Sequence, residues 1–152
     1  MKCLFYDTVD STNALAWRMI ARREAEHGIV IIANQQTAGR GQFGRPWQAA
    51  PGGVYLSVVW QPPCPAAQSP LLTIAVAWGL AIALQGVGAA VRLKWLNDLI
   101  LERRKLGGIL TETRMLGDRL VYAVVGVGIN WRNPVPVGAI GLDGGHHQVL
   151  GL

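Results

Sequence analysis

The chain has 152 residues, 51% of them hydrophobic and 15% charged, with a net charge of +5. That length fits one compact domain, the hydrophobic share excludes intrinsic disorder, and a chain of this size buries about 70% of its unfolded surface without a metal or disulfide staple. Two cysteines and three histidines exclude a disulfide scaffold and a His-rich metal centre. The basic balance suits an acidic partner without saying which one. Lys2 and Asp7 precede any long apolar run, so the start is not read as a signal peptide, and a soluble, cytoplasmic protein is expected.

In chain order, Asp10, Ser11 and Thr12 are capping residues before a helix carried by Leu15 and Met19, with Gly28 as its natural stop. IVIIA, Ile29 to Ala33, is short and β-branched and predicts a buried strand. Gln35 to Trp47 is a Gly-rich polar loop, and Val54 to Trp60 is a strand closed by Pro62, Pro63 and Pro65. No Asp, Glu, Lys or Arg occurs from Pro46 to Val91. Within that stretch the apolar run from Leu71 to Leu84 is shorter than the roughly 20 residues of a membrane span. Pro70 to Val87 is therefore expected to be a buried helix rather than a membrane segment. Short strands follow at Val91 to Trp95 and Leu99 to Leu101, then a charged turn at Glu102, Arg103 and Arg104. Leu106 to Thr113 and Leu120 to Ile129 return as strands, the second the longest in the chain. Hairpins with two helices predict an α+β fold with a mixed, largely antiparallel sheet. Residues 132–152, rich in Gly and Pro, are expected to be an irregular or frayed tail.

Three segments carry candidate chemistry. AGRGQFGRPW, Ala38 to Trp47, holds three glycines, two arginines and a tryptophan. Glycines let backbone N–H groups close on an anion, and Arg40 and Arg45 can fork onto phosphate or carboxylate oxygens. An ordinary flexible turn with solvated arginines is the other reading of this loop taken alone. It is neither a P-loop, lacking GK[ST], nor a dinucleotide fingerprint. KWLND, Lys94 to Asp98, precedes KLGGIL, Lys105 to Leu110. Gly107 and Gly108 within a strand signal a bulge or a close backbone approach, beside which Lys105 could clamp an anion. A surface hairpin with exposed charges is the alternative. GVGIN, Gly126 to Asn130, leaves room for a flat group against the strand and offers an amide to a base edge. Packing against a neighbouring helix explains its glycines equally well.

Taken together and in this order, STN (Ser11 to Asn13), QQTAGRGQFGRPW (Gln35 to Trp47), KWLND, KLGGIL and GVGIN resemble the biotin protein ligase family, over about Phe5 to Trp131. The resemblance implies a class II synthetase-like biotin/lipoate ligase catalytic domain over residues 1–131. It implies activation of biotin with ATP to biotinyl-5′-AMP, with Mg²⁺ shielding the pyrophosphate, and transfer to a lysine of a biotin carboxyl carrier domain. By position, it assigns biotin contacts to Ser11, Thr12, Asn13, Gln36, Gly39, Arg40, Gly41, Gln42, Trp47, Lys105 and Gly108. Nucleotide contacts fall to Arg40, Arg45, Lys94 and Asn130, and the catalytic roles to Arg40, Lys105 and Asp98. No metal-ligand set is implied. A homodimer stays open; DNA and membrane partners are not expected.

Three departures from the family pattern accompany the match. Gln42 stands where many members carry a second arginine. Leu96 replaces the usual proline of the KWPND-type motif, with a looser turn before Asp98 as the expectation. By the family pattern a further helix and a small β-barrel domain are expected after these segments and, in repressor-type members, a winged helix before them; neither is read in these 152 residues. A lipoate or octanoate ligase or transferase of the same fold, and a biotin-binding remnant without catalysis, remain alternatives. Nucleic-acid binding by the +5 charge has no aromatic-basic motif behind it.

Overall fold

The structure, a computed structural model, describes residues 2–144. Its strands are β1 (Cys3–Val9), β2 (Val30–Gln36), β3 (Val54–Trp60), β4 (Arg92–Lys94), β5 (Asp98–Leu101), β6 (Arg104–Leu116) and β7 (Arg119–Ile129). Its helices are α1 (Thr12–Ala21) and α2 (Ser69–Gly86). The strands form one seven-stranded sheet in the order β1-β2-β3-β7-β6-β5-β4. Only β1 and β2 pair in parallel; the other neighbours are antiparallel. The expected α+β class with a mixed, largely antiparallel sheet is the one observed.

Several expected boundaries are corrected. β1 was not anticipated, because its residues are mostly exposed and Phe5 is 75% exposed. It is an edge strand held by its pairing with β2. Parallel neighbours cannot be joined by a tight turn, and α1 fills the crossover between them. β2 runs on to Gln36 because its polar end is laddered to β1, with Gln35 Nε2 donating to Thr8 Oγ1 at 2.7 Å. Helix α1 stops at Ala21 rather than Gly28. Arg23 takes φ 59° there, and the N–H groups of Arg23 and Glu24 return to the carbonyls of Ile20 and Met19. That is the hydrogen-bond pattern glycine usually supplies at a helix end. β6, with 13 residues, is longer than β7, with 11.

The two helices cover opposite faces of the sheet. Successive residues of a strand point to opposite sides, so β7 sends Val124 toward α1 and Val125 and Val127 toward α2. Ala16, Met19 and Ile20 of α1 pack with Ile29, Ile31 and Val59. Ala77, Ala81 and Leu84 of α2 pack with Leu106, Ile109 and Ile129. Helix α2 ends where Gly88, at φ 90°, lets the N–H groups of Gly88 and Ala89 reach the carbonyls of Gln85 and Leu84.

Helix α2, expected to be buried, is buried along one side only. Ala66–Gly86 is long and apolar enough to cross a bilayer by length and composition, yet only 28% of its apolar window is buried. Leu71, Trp78 and Ile82 stand 57%, 62% and 55% exposed. A helix apolar all round buries only the stripe that meets the sheet, since α2 has the sheet on one side alone. The segment expected to be a loop or frayed tail is a loop over its described residues, closed by a 3-10 turn at Leu142–Gly144. Three of its side chains anchor it: Ile140 and Leu142 are buried in the α2-side core, and Asn133 is 5% exposed, while 134–138 are exposed. Residues 145–152 of that tail lie outside the described residues.

Candidate functional site

A cleft of about 440 Å³ opens at one end of the sheet. Its floor is β7 and β6. Gly126 and Gly128 leave bare backbone there, and each is filled from above. A Cβ at Gly126 would sit 2.3 Å from Asn13 Oδ1, and one at Gly128 would sit 2.7 Å from the Trp47 ring. The glycines of GVGIN thus make room within the protein, one for the helix residue Asn13 and the other for the ring of Trp47. Gly108 of β6 also lies on the floor, and its open side faces Lys105 and Asp98 at ordinary contact distance.

The first turn of α1 forms one wall. Ser11, Thr12 and Asn13 are 4%, 4% and 3% exposed, although all three are polar. Burial of such groups is tolerable only when each is hydrogen-bonded. Ser11 caps the helix, its Oγ accepting from Ala14 N–H at 3.4 Å. Thr12 N–H donates to Gln36 Oε1 at 2.8 Å, fixing the end of β2 against the helix. Ser57 Oγ of β3 lies 2.6 Å from Asn13 Oδ1 and 2.7 Å from Thr12 Oγ1.

The Gly-rich segment forms the roof. It folds as a small hairpin, with Trp47 N–H on the Gly39 carbonyl at 2.9 Å and Gly41 N–H on the Arg45 carbonyl at 2.8 Å. Only glycine fits at 39, because a Cβ would stand 2.6 Å from the Trp47 carbonyl oxygen. Gln42–Gly44 makes a 3-10 turn at the tip, leaving Phe43 at φ 57° and 92% exposed. Trp47 drops from the second arm onto Gly128, and its Nε1 is buried without a hydrogen-bond partner.

The far end of the cleft carries the charges. Lys105 Nζ pairs with Asp98 Oδ1 at 2.7 Å and lies 5.5 Å from the centre of the Trp47 ring. A bulge between β5 and β6 falls beside Lys105, where Leu99 pairs with Gly107 and Ile100 with Lys105. Gly107 makes the close backbone approach that its strand position signals: a Cβ there would meet the Gly128 carbonyl at 2.6 Å. The turn before Asp98 is tied. Asn97 accepts at its carbonyl from Ile109 N–H at 2.9 Å, and its Nδ2 donates to the Ile109 carbonyl at 3.0 Å. Asn130, 3% exposed, accepts from Asn133 Nδ2 at 3.1 Å.

The cleft thus gathers Ser11, Thr12, Asn13, Gln36, Arg40, Gly41, Gln42, Arg45, Trp47, Asp98, Lys105, Gly108 and Asn130 from five separate segments. Gly39 is buried behind it, beneath Trp47, and Lys94 lies exposed on edge strand β4, outside the lining. Sequence reasoning did not single out Ser57, Phe43, Asn97 or Glu112. Glu112 had a readable signal: it shares the period-2 face of β6 with Gly108 and Leu110, where a carboxylate among apolar neighbours needs a partner.

Residues 5–130 match the model of the Biotin/lipoate A/B protein ligase family. The chain belongs to that family. It is 33% identical over 129 residues to the bifunctional ligase/repressor BirA of Bacillus subtilis (strain 168), covering 84% of this chain and 39% of the relative. It is 41% identical over 125 residues to BirA of Escherichia coli (strain K12), covering 80% and 38%. The biotin protein ligase of Aquifex aeolicus, solved in complex with biotin and ATP, superposes with a TM-score of 0.69 at 30% identity, covering 93% of this chain and 59% of that one. The chain spans about two fifths of the length of these curated relatives.

Proposed function

We propose that this chain activates biotin with ATP to biotinyl-5′-AMP and passes the biotinyl group to a lysine of a carboxylase carrier domain. The observation that carries the reading is the convergence of Arg40 and Lys105, from segments far apart in sequence, on one cleft with a glycine floor and a tryptophan wall. Biotin's carboxylate and the α-phosphate of ATP are both anionic, so their approach needs fixed cations between them. Lys105, held at its far side by Asp98, and Arg40 fill that need. The carboxylate oxygen attacks the α-phosphorus, the bond to the bridging oxygen breaks, and pyrophosphate leaves. The carrier lysine's amine then attacks the acyl carbon, and AMP leaves.

In this reading the polar first turn of α1, Ser11, Thr12 and Asn13, receives the ureido ring together with Gln36. Gly108 lets the ligand lie against backbone. Gly39, Gly41 and Gln42 shape the roof that shields the adenylate from water, and Trp47 covers the acyl chain. Asn130 presents its amide to the adenine edge, with Arg45 at the nucleotide side of the loop. Lys94 is left out, since it does not reach the cleft. Among the described residues no cluster of three His, Cys, Asp or Glu side chains could hold a metal ion. Mg²⁺ enters only as part of the Mg·ATP substrate, and no step is assigned to it here.

The test is ATP–pyrophosphate exchange with biotin or lipoate added in turn. Exchange that depends on biotin is the expected result. Exchange driven by lipoate alone would move the chain to the other branch of its family. Absence of exchange with either acid would leave a binding domain without catalysis.

A further inference from the structure

Two cations of the cleft, Lys105 and Arg40, are held by carboxylates, and the two partners differ in how they are anchored. Asp98 reaches Lys105 from the neighbouring strand β5. Glu112, on β6, is fixed by α1. Its Oε2 accepts from Asn13 Nδ2 at 2.8 Å and from Trp17 Nε1 at 3.2 Å, which leaves Oε1 to face Arg40 Nη2 at 3.4 Å. The sheet, the helix and the roof therefore meet at one carboxylate. Arg40 is the residue of the roof hairpin whose side chain ties it back to the sheet through an ion pair.

We infer that Glu112 is a positioning residue, which tethers Arg40 and with it the Gly-rich hairpin over the cleft before any ligand arrives. This rests on the proposed biotin-activating reading only for its ligand; the tether itself stands on the geometry. A guanidinium has five N–H donors in a planar fork. One directed at Glu112 leaves the others for an incoming oxyanion, so tether and ligand do not compete for the same hydrogens. Ordering the roof in advance removes part of the ordering cost from binding. The pair is partly exposed, with side-chain accessibilities of 47% and 29%, so salt weakens it.

Glu112→Gln separates the tether from the fold. The amide oxygen still accepts from Asn13 and Trp17, while the amide nitrogen no longer attracts Arg40. The readout is limited proteolysis of the unliganded protein by chymotrypsin at Phe43, the exposed tip of the hairpin. At low salt, Glu112→Gln should be cut several-fold faster than the parent, with an unchanged thermal midpoint. High salt should raise the parent's cleavage rate to the variant's and leave the variant unaffected. Arg40→Gln should be cut as fast as Glu112→Gln, and the double variant no faster than either. In biotin-dependent exchange, Glu112→Gln should raise KM for biotin several-fold and change kcat by less than twofold.

Equal cleavage of parent and Glu112→Gln at low salt, or additive effects in the double variant, would overturn the tether. So would a loss confined to kcat. Because proteolysis needs no turnover, a chain that shows the tether but no exchange would sink the activity reading and leave this inference standing.

Discussion

On the side of the sheet that carries α1, a buried polar network of Thr12, Asn13 and Ser57 adjoins an aliphatic cluster of Ala16, Met19, Ile31 and Val59, with Ser11 capping the helix and Glu112 and Arg40 at the edge of the network. On the side that carries α2, the contacts are Ala77, Ala81, Leu84, Val125, Val127 and Ile129, with one hydroxyl pair, Thr73 and Thr111, at 2.7 Å. Aliphatic packing is non-directional and tolerates volume-conserving exchange. A buried polar network fixes the angle of every member, because any group left unpaired costs about 1–3 kcal/mol. The α1 side, which walls the cleft, is accordingly the one that adds directional bonds to its aliphatic packing. The α2 side is packed almost wholly by aliphatic side chains, and the outer surface of its helix is left open.

Five substitutions test that division. The largest effect is expected on the polar side: Lys105→Ala should lower the exchange rate by about 10²–10³. Its biotin affinity, measured by titration, should fall far less. The lost ammonium also leaves Asp98 facing the anionic ligand, which adds to the loss. Near-normal exchange would remove Lys105 from the chemistry.

The α2 side should respond in stability alone. Leu84→Ala, at a side chain only 7% exposed, should cost about 2–5 kcal/mol in urea unfolding. Two residues earlier, Ile82→Gln on the open side of the same helix should change stability by no more than about 0.5 kcal/mol. A similar cost at both positions would mean that the outer face of α2 is covered in solution.

Gln42→Arg returns to the polar side with a gain. Gln42 lines the cleft from the 3-10 turn of the roof. A charge-assisted hydrogen bond contributes about 1.5–3 kcal/mol and a neutral one about 1. The arginine variant should therefore retain the adenylate several-fold longer, seen as reduced labelling of a bystander lysine-rich protein with the carrier signal unchanged. Equal bystander labelling would show that Trp47 and the rest of the roof suffice.

The smallest effect is at the entry to α1. Hydrogen bonds from Arg18, chiefly, hold the Asp10 carboxyl at about 2, below its ordinary 3.8. A depressed folded-state value contributes stability above the unfolded value, and that contribution is lost as pH falls from about 4 to about 2. The pair is nearly half exposed, so its worth is at most about 1 kcal/mol. Asp10→Asn should flatten the acid limb of the stability curve over that interval. An unchanged limb would place the acid sensitivity elsewhere.

Much of this was written locally. Val54 to Trp60 reads as a strand from its β-branched and aromatic run, and the structure places β3 on the same residues. Ser11 reads as a cap and is one. β1 was not legible, because an exposed edge strand alternates no buried face and owes its existence to β2. The end of α1 was not legible either, because Arg23 adopts a backbone conformation that the sequence reserves for glycine. Burial of Ile140 and Leu142 was hidden for a different reason: a Gly- and Pro-rich segment has no period, and only the core it closes shows its worth.

The sequence by itself determined the family, through short segments whose residue types and order survive without any knowledge of their neighbours. It also named the cations, the glycines and the tryptophan of the cleft. Tertiary structure alone decided which of them meet. Glu112 joins Asn13, Trp17 and Arg40 across as many as 99 positions of sequence, and Lys94 lies beside Asp98 on the neighbouring strand yet outside the cleft. It also decided that α2 has one covered side, since a helix apolar on every face carries no mark of which face will find a partner. Local propensity is a property of neighbouring residues in the chain. Burial and ion pairing are properties of what the folded sheet brings alongside.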